Sequence, residues 1–220
     1  MSQTYKELDE MAMKFGSDKS PLHHDYTKYY DCYFSKIRSD VKNMLEIGVF
    51  NGSSIKMWQA YFPNAIINGI DIDVRCKKFE GNRIKIHHGD QSDIEFLKSA
   101  LKDQRFDIII DDGSHMSGHQ IKTFEFLFDY VVNGGIYVIE DTKTSYHKSW
   151  VGPNESCIEF FKNRIDDVEM HGKKFGRTIC SDRKKLLELS KQGSIALSDY
   201  EKKIESIHFY SGLIFVLKQE

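Results

Sequence analysis

Three observations predict an α/β fold with a mainly parallel sheet and helices on both faces. From Asn43 to Gly135 short apolar runs alternate with amphipathic stretches, the pattern of strands that cross over through helices. The chain has 220 residues, 40% of them apolar and 29% charged, which suits one hydrophobic core and excludes disordered, collagenous and coiled-coil classes. Only three prolines occur, and no Ser/Gly/Pro-rich linker or fixed-period repeat interrupts the chain, so no domain boundary is expected. The expected layout is a single domain over residues 1–220: a helical cover at 1–40, the core at 43–141, helices and a lid at 142–205, and strands at 206–218.

The strands are read at MLEIG, IINGID, IKIHH, DIIID and IYVIE. Between them Ile55, Trp58 and Phe62, then Ile94, Leu97 and Leu101, then Ile121, Phe124, Phe128 and Val131 recur at helical spacing, each group marking the buried stripe of a crossover helix. Ser92 with Glu95 three residues later predicts a capping box opening the second helix. Taken singly, Asp73, Asp90 and Asp93 read as caps. The ending ESIHFYSGLIFVLKQE holds two β-rich runs broken at Ser211 and Gly212, read as an antiparallel edge.

Charge excludes some partners. With 31 Lys and Arg against 33 Asp and Glu, the net charge of -2 gives no long-range pull towards nucleic acid or anionic lipid. No window approaches the roughly 18 apolar residues of a membrane span, and MSQTYKELDEMAMKF is charged where a secretory signal needs an apolar stretch, so a cytoplasmic location is expected. Cys32, Cys76, Cys157 and Cys180 are far apart and form no CxxC pair, which encodes neither a disulfide framework nor a zinc site.

The first chemical signal is LEIGVFNGSS, where a strand runs into Gly48 and Gly52. The spacing is GxxxG rather than the GxGxxG of dinucleotide sites, and Glu46 just before it would repel a pyrophosphate but attract a cationic sulfonium or amine. Asp71 ends the second strand, where doubly wound folds place an acid on ribose hydroxyls. Asp90 follows the third strand, within reach of an adenine amino group. The second signal is FDIIIDDGSHMSGHQ, whose strand ends in Asp111 and Asp112 and whose loop presents His115 and His119. The next strand ends in Glu140 and Asp141. Adjacent carboxylates at strand ends are costly unless paired with a cation, and oxygen ligands without thiols suit magnesium, manganese or calcium. His115, in the turn, is read as a general base for a hydroxyl, and His119 as a solvated or capping imidazole.

In order and spacing, Glu46, Gly48, Gly52, Asp71 and Asp90 resemble the motifs of class I S-adenosylmethionine-dependent methyltransferases, from about Asn43 to Gly135. The resemblance implies a seven-stranded Rossmann-like sheet, a glycine turn cradling the methionine part of the cofactor, a ribose acid at Asp71 and an adenine-facing acid at Asp90. DDGSH with the following IED further resembles the metal-dependent sugar O-methyltransferases of macrolide antibiotic biosynthesis and related enzymes that decorate bacterial surface glycans. FGSDKSPLHHDYTKYY is similar to a segment these relatives carry before the core. What this implies is Asp112, Glu140 and Asp141 as magnesium ligands, His115 as base, Asp111 closing the cofactor pocket, a sugar or glycan hydroxyl as acceptor, and a homo-oligomer. Beyond Asp141, the aromatic group of Tyr146, His147 and Trp150 is suited to stacking on a sugar face, whereas Lys143, Lys173, Lys174 and Arg177 read as a solvated face. Two rival readings remain at this stage: a non-haem iron oxygenase using Asp112, His115 and His119, and a cofactor-binding module without turnover.

Overall fold

All five apolar runs become strands: β1 (Asn43–Ile47), β2 (Ile66–Asp71), β3 (Ile84–His88), β4 (Phe106–Asp111) and β5 (Val131–Glu140). The computed structural model describes residues 3–153, 155–169 and 183–220; Lys173, Lys174, Arg177 and Cys180 lie outside them. The strands pair in parallel in the order β3-β2-β1-β4-β5, and the C-terminal hairpin of β6 (Ile204–Tyr210) and β7 (Leu213–Lys218) extends the sheet to seven. The two β-rich runs at the C-terminus are therefore separate strands. β7 is an interior strand, antiparallel to both β5 and β6, and β6 forms the edge.

Alternation along the strands sends side chains to two cores. Met44, Ile108, Ile110, Val138 and Phe215 face α1 (Gln3–Phe15), α2 (Thr27–Phe34) and α3 (Ser53–Tyr61), and Leu8, Ala12, Tyr30, Phe34 and Trp58 of those helices are fully buried. The opposite face carries Leu45, Ile109, Tyr137 and Ile139 against α4 (Ile94–Leu101) and α5 (Ser117–Leu127), with Leu97 and Phe124 fully buried. Residues 1–40, expected as a cover, thus supply much of one helical layer. Part of the segment expected as a lid belongs to the other core: Cys157, Phe160 and Phe161 are buried against the α5 face, and Phe161 stacks edge-on with Phe124 at 4.8 Å.

Two local expectations change. Asp93, not Ser92, caps α4: its carboxylate accepts from the amides of Glu95 and Phe96, because Ser92 sits one residue too early and its own amide is bonded to Asp90 at 2.8 Å. Val131, placed on the helical stripe, begins β5 after a short 3-10 turn, Phe128–Tyr130.

Neighbours of β1 fix where a ligand can enter. β2 lies on one side and β4 on the other, so the chain crosses over from β1 to one side and from β4 to the other, and a crevice opens between these connections at the carboxyl ends, the usual ligand position in doubly wound sheets.

Candidate functional site

At that crevice lies a cavity of about 400 Å³, walled by Gly48, Asp71, Asp90, Asp112, His115 and Asp141 among others. Along its wall the turn after β1 passes the loop after β4 backbone to backbone. Gly48 has φ +91°, and a Cβ there would lie 2.0 Å from the carbonyl oxygen of Asp112, so only glycine lets the β1 turn pass the β4 loop. Gly52, also at positive φ, makes room instead for the ring of Phe79, 2.7 Å from an added Cβ, and does not line the cavity. Its role here is to start α3.

Asp71 projects into the cavity while its carboxylate accepts from the amides of Val49, Phe50 and Asp73, each at 2.8 Å. Burial pushes this acid up, but the three amides outweigh it and hold the pKa below the ordinary aspartate value. Asp90 accepts from the amide of Ser92, which lowers its pKa, and it remains on the cavity wall. Flanking Asp71, Phe50 and Ile72 are left 83% and 69% exposed, apolar surfaces facing a polar cleft. Sequence reasoning missed both; an apolar residue directly after Asp71 was the available signal for Ile72.

Two acids expected at the cofactor face elsewhere. Glu46 is fully buried on the α3 side of the sheet, accepting from Ser54 Oγ at 2.8 Å and Trp58 Nε1 at 3.0 Å, because alternation puts it on the same face as Met44. Burial pushes its pKa up to about 7 despite nearby Lys19. Asp111 is likewise fully buried on the other face; it accepts from Gln91 Nε2 at 3.1 Å and from the amide of Gly113, and burial pushes it up to about 6. Gln91 in turn accepts from Ser114 N at 2.7 Å, so Asp111 braces the loop that carries Asp112 and His115 rather than lining the cleft.

The strand-end acids form two groups sharing Asp112: Glu46, Asp112 and Glu140 deep in the molecule, and Asp112, His115 and Asp141 facing the cleft, each with ligand atoms within 4.8 Å of one another. The deep group encloses Lys19, whose Nζ lies 2.6 Å from Asp112 Oδ2, 2.9 Å from Glu140 Oε1 and 3.7 Å from Glu46 Oε1. Burial would drive the proton off this lysine, but Asp112, Glu140 and Glu46 together hold its pKa well above the ordinary value. Glu140 is pushed upward by burial and then by Asp112, since one ammonium offsets only part of three clustered carboxylates. Tyr30 donates to Glu140, and Tyr26 donates to Asp141 Oδ1 at 2.9 Å. Lys19, Tyr26 and Tyr30 escaped the sequence reading, although all three lie within FGSDKSPLHHDYTKYY, a stretch dense in hydrogen-bond donors.

His115 has φ +57°, a conformation that costs a non-glycine residue roughly 1–3 kcal/mol and marks functional loops. Its Nε2 is 3.7 Å from Asp141 Oδ2, and its buried Nδ1 has no hydrogen-bond partner. His119 lines the same cavity with Nδ1 2.9 Å from Ser114 Oγ. Of the expected aromatic group only Trp150 approaches, its ring 6.3 Å from that of His115; Tyr146 and His147 are exposed and outside the cavity wall.

No protein-family model matches the chain. It is 34% identical over 221 residues to mycinamicin VI 2''-O-methyltransferase of Micromonospora griseorubida, covering 96% of this chain and 52% of that protein. It is also 36% identical over 177 residues to L-olivosyl-oleandolide 3-O-methyltransferase of Streptomyces antibioticus, covering 73% and 45%. Its homologues are sugar O-methyltransferases. Among solved structures, the MycE methyltransferase of the mycinamycin biosynthetic pathway, in complex with Mg and SAH, superposes with a TM-score of 0.81 at 30% identity, covering 97% of this chain and 54% of that one. The sheet is thus the Rossmann-like sheet of these methyltransferases, with β5, β7 and β6 as its antiparallel side. The chain spans about half the length of the sugar O-methyltransferases it matches.

Proposed function

We propose that the chain transfers a methyl group from S-adenosylmethionine to a hydroxyl of a sugar or glycan, with a divalent cation at the acidic cluster. The observation that carries this reading is the continuity of the cleft: Asp71 and Asp90 lie on the same cavity wall as Asp112, His115 and Asp141, so a nucleoside and an acceptor held by the acids would meet inside one cavity. The two relatives named above are a mycinamicin VI 2''-O-methyltransferase and an L-olivosyl-oleandolide 3-O-methyltransferase, which favours a sugar hydroxyl as the acceptor.

The residues fit a hard cation. Lys19 takes Asp112 Oδ2, and Tyr26 and Lys143 take Asp141 Oδ1, which leaves Asp112 Oδ1 and Asp141 Oδ2 for a ligand, both on side chains that are partly exposed. Oxygen donors without thiols suit magnesium or manganese, and Asp112 and Asp141, with Glu140 behind them, would hold the ion. When bound, such an ion acidifies a coordinated hydroxyl and fixes its orientation. His115 receives the hydroxyl proton, and Asp141, beside its Nε2, favours the imidazolium that results. Asp71 and Asp90 orient the nucleoside, with Phe50 and Ile72 offering apolar surface to a base. Trp150, beside His115 though outside the cavity wall, offers an aromatic face to an acceptor that extends from the cleft. In the overall reaction the methyl carbon leaves sulfur, which keeps the bonding pair, and joins the acceptor oxygen, yielding a methyl ether and S-adenosylhomocysteine.

Of the rival readings, the iron oxygenase finds no support: among the described residues no group unites two histidines with a carboxylate, and His119 is engaged by Ser114. The test is incubation with isotope-labelled S-adenosylmethionine, magnesium and a panel of nucleotide sugars, glycosylated polyketides and glycans, read by mass spectrometry. A labelled methyl ether that is lost in His115→Ala is expected. Tight cofactor binding with no transfer to any acceptor would instead make the chain a binding module.

A further inference from the structure

We infer that the segment from Ser17 to Tyr30 positions the metal ligands, with Lys19, Tyr26 and Tyr30 each holding one of the three acids at the strand ends. The inference rests on the metal-dependent reading above. Each acid receives a donor from this stretch: Lys19 Nζ to Asp112 at 2.6 Å, Tyr26 Oη to Asp141 at 2.9 Å, and Tyr30 Oη to Glu140. Lys19 also reaches Glu140 at 2.9 Å. The acids come from two different strands and the donors from one short stretch of chain, so the stretch ties the ends of β4 and β5 together.

Its geometry makes it a rigid unit. The Lys19 carbonyl accepts from the amides of Tyr26 and Thr27 at 3.0 and 3.2 Å, and Asp18 and Ser20 carbonyls accept from His24 and Asp25. The base of the turn is therefore stitched to the start of α2. Tyr26 and Tyr30 are four residues apart and lie on one side of that helix, where i and i+4 neighbours project together. Tyr30 is wedged edge-on against Trp58 and Phe215 at 5.2 and 5.5 Å. Tyr26 is fixed from the other side of the sheet's end: a Cβ on Gly212 would lie 2.2 Å from its hydroxyl, and the Gly212 carbonyl accepts from the amide of Thr142, next to Asp141. Neither phenol is placed to move a proton to an acceptor in the cleft, since neither lines it; both act through the carboxylates, as partners that orient metal ligands do.

The experiment measures Mn²⁺ and S-adenosylhomocysteine affinities by calorimetry on the full chain and on Tyr26→Phe and Tyr30→Phe, which remove one oxygen each and leave the rings in place. Expected is a fall in Mn²⁺ affinity of about tenfold to a hundredfold in each variant, with S-adenosylhomocysteine affinity within about twofold and an unchanged far-UV spectrum. Mn²⁺ affinity equal to that of the unaltered chain would overturn the positioning role while leaving the metal reading standing. Parallel loss of both affinities would also overturn it, showing that the phenols support the fold as a whole. If the unaltered chain binds no Mn²⁺, the metal reading itself fails and this inference with it.

Discussion

Asp71 does two jobs at once, which changes what its removal should do. It accepts three backbone amides that shape the turn after β1 and still faces the cavity. Asp71→Ala is therefore expected to weaken S-adenosylhomocysteine binding by roughly 1.5 to 3 kcal/mol and to lower the melting temperature too. Calorimetry and thermal unfolding check the two halves, and unchanged affinity would mean that the ribose acid is misassigned. Glu46 makes the opposite case. Buried and pushed up to about 7 from an ordinary 4.5, it holds a proton in the native state that the unfolded chain has released. Between those two pH values the native state binds more protons, so the contribution of Glu46 makes stability fall as pH rises through the window. Glu46→Gln should remove roughly 2 to 4 kcal/mol of that decline, measured as the difference between denaturant-unfolding curves at pH 4.5 and 8. Because Glu46 does not line the cleft, S-adenosylhomocysteine affinity should stay within about twofold; a large loss would return Glu46 to the ligand.

At the scale of elements, the turn after β1 and the loop after β4 depend on each other. Gly48→Ala places a methyl 2.0 Å from the Asp112 carbonyl at a φ that suits only glycine. It is expected to cost about 2 kcal/mol or more of stability and to reduce both cofactor and metal affinity, since the loop that shifts carries Asp112 and His115. Retention of both affinities would show that the loops can separate without harm. The cap of α4 is a smaller and more local case: Asp93→Ala removes the acceptor for two amides of the first turn and should cost about 1 kcal/mol. Ser92→Ala should cost far less, a contrast that thermal unfolding resolves.

For the whole molecule, the acids at the ends of β4 and β5 repel one another, and Lys19 and the partly exposed Lys143 offset only part of their charge. A bound divalent ion should therefore stabilise the fold as well as support turnover. Saturating Mg²⁺ or Mn²⁺ at about a hundred times Kd adds about 2.7 kcal/mol by mass action, visible as a rise in melting temperature that excess chelator reverses. Methyl transfer should vanish with chelator and return with Mg²⁺. Full activity in demonstrably metal-free protein would remove the cation from the mechanism. His115→Ala should keep the fold and cofactor affinity while lowering the transfer rate by about two to four orders of magnitude, measured by label transfer; an unaffected rate would move the base to His119.

The sequence by itself determined the parallel strands, the crossover helices and the order of the cleft residues from Gly48 to Asp141. These follow from local patterns: apolar runs of strand length, stripes at helical spacing, and carboxylates at strand ends, which parallel pairing must bring to one edge. Which face each acid meets was decided only by the tertiary structure. Glu46 and Asp111 look equivalent to Asp112 and Asp141 in a list of acids, yet pleating directs Glu46 into the α3 side and Asp111 towards Gln91. The role of the N-terminal stretch was equally illegible. Lys19 and Asp112 are 93 residues apart, and Tyr26 and Asp141 are 115 apart. No local spacing encodes a contact over that distance; it arises because α2 packs on the sheet face that carries Ile110, Val138 and Glu140, which brings the stretch before it to the ends of β4 and β5.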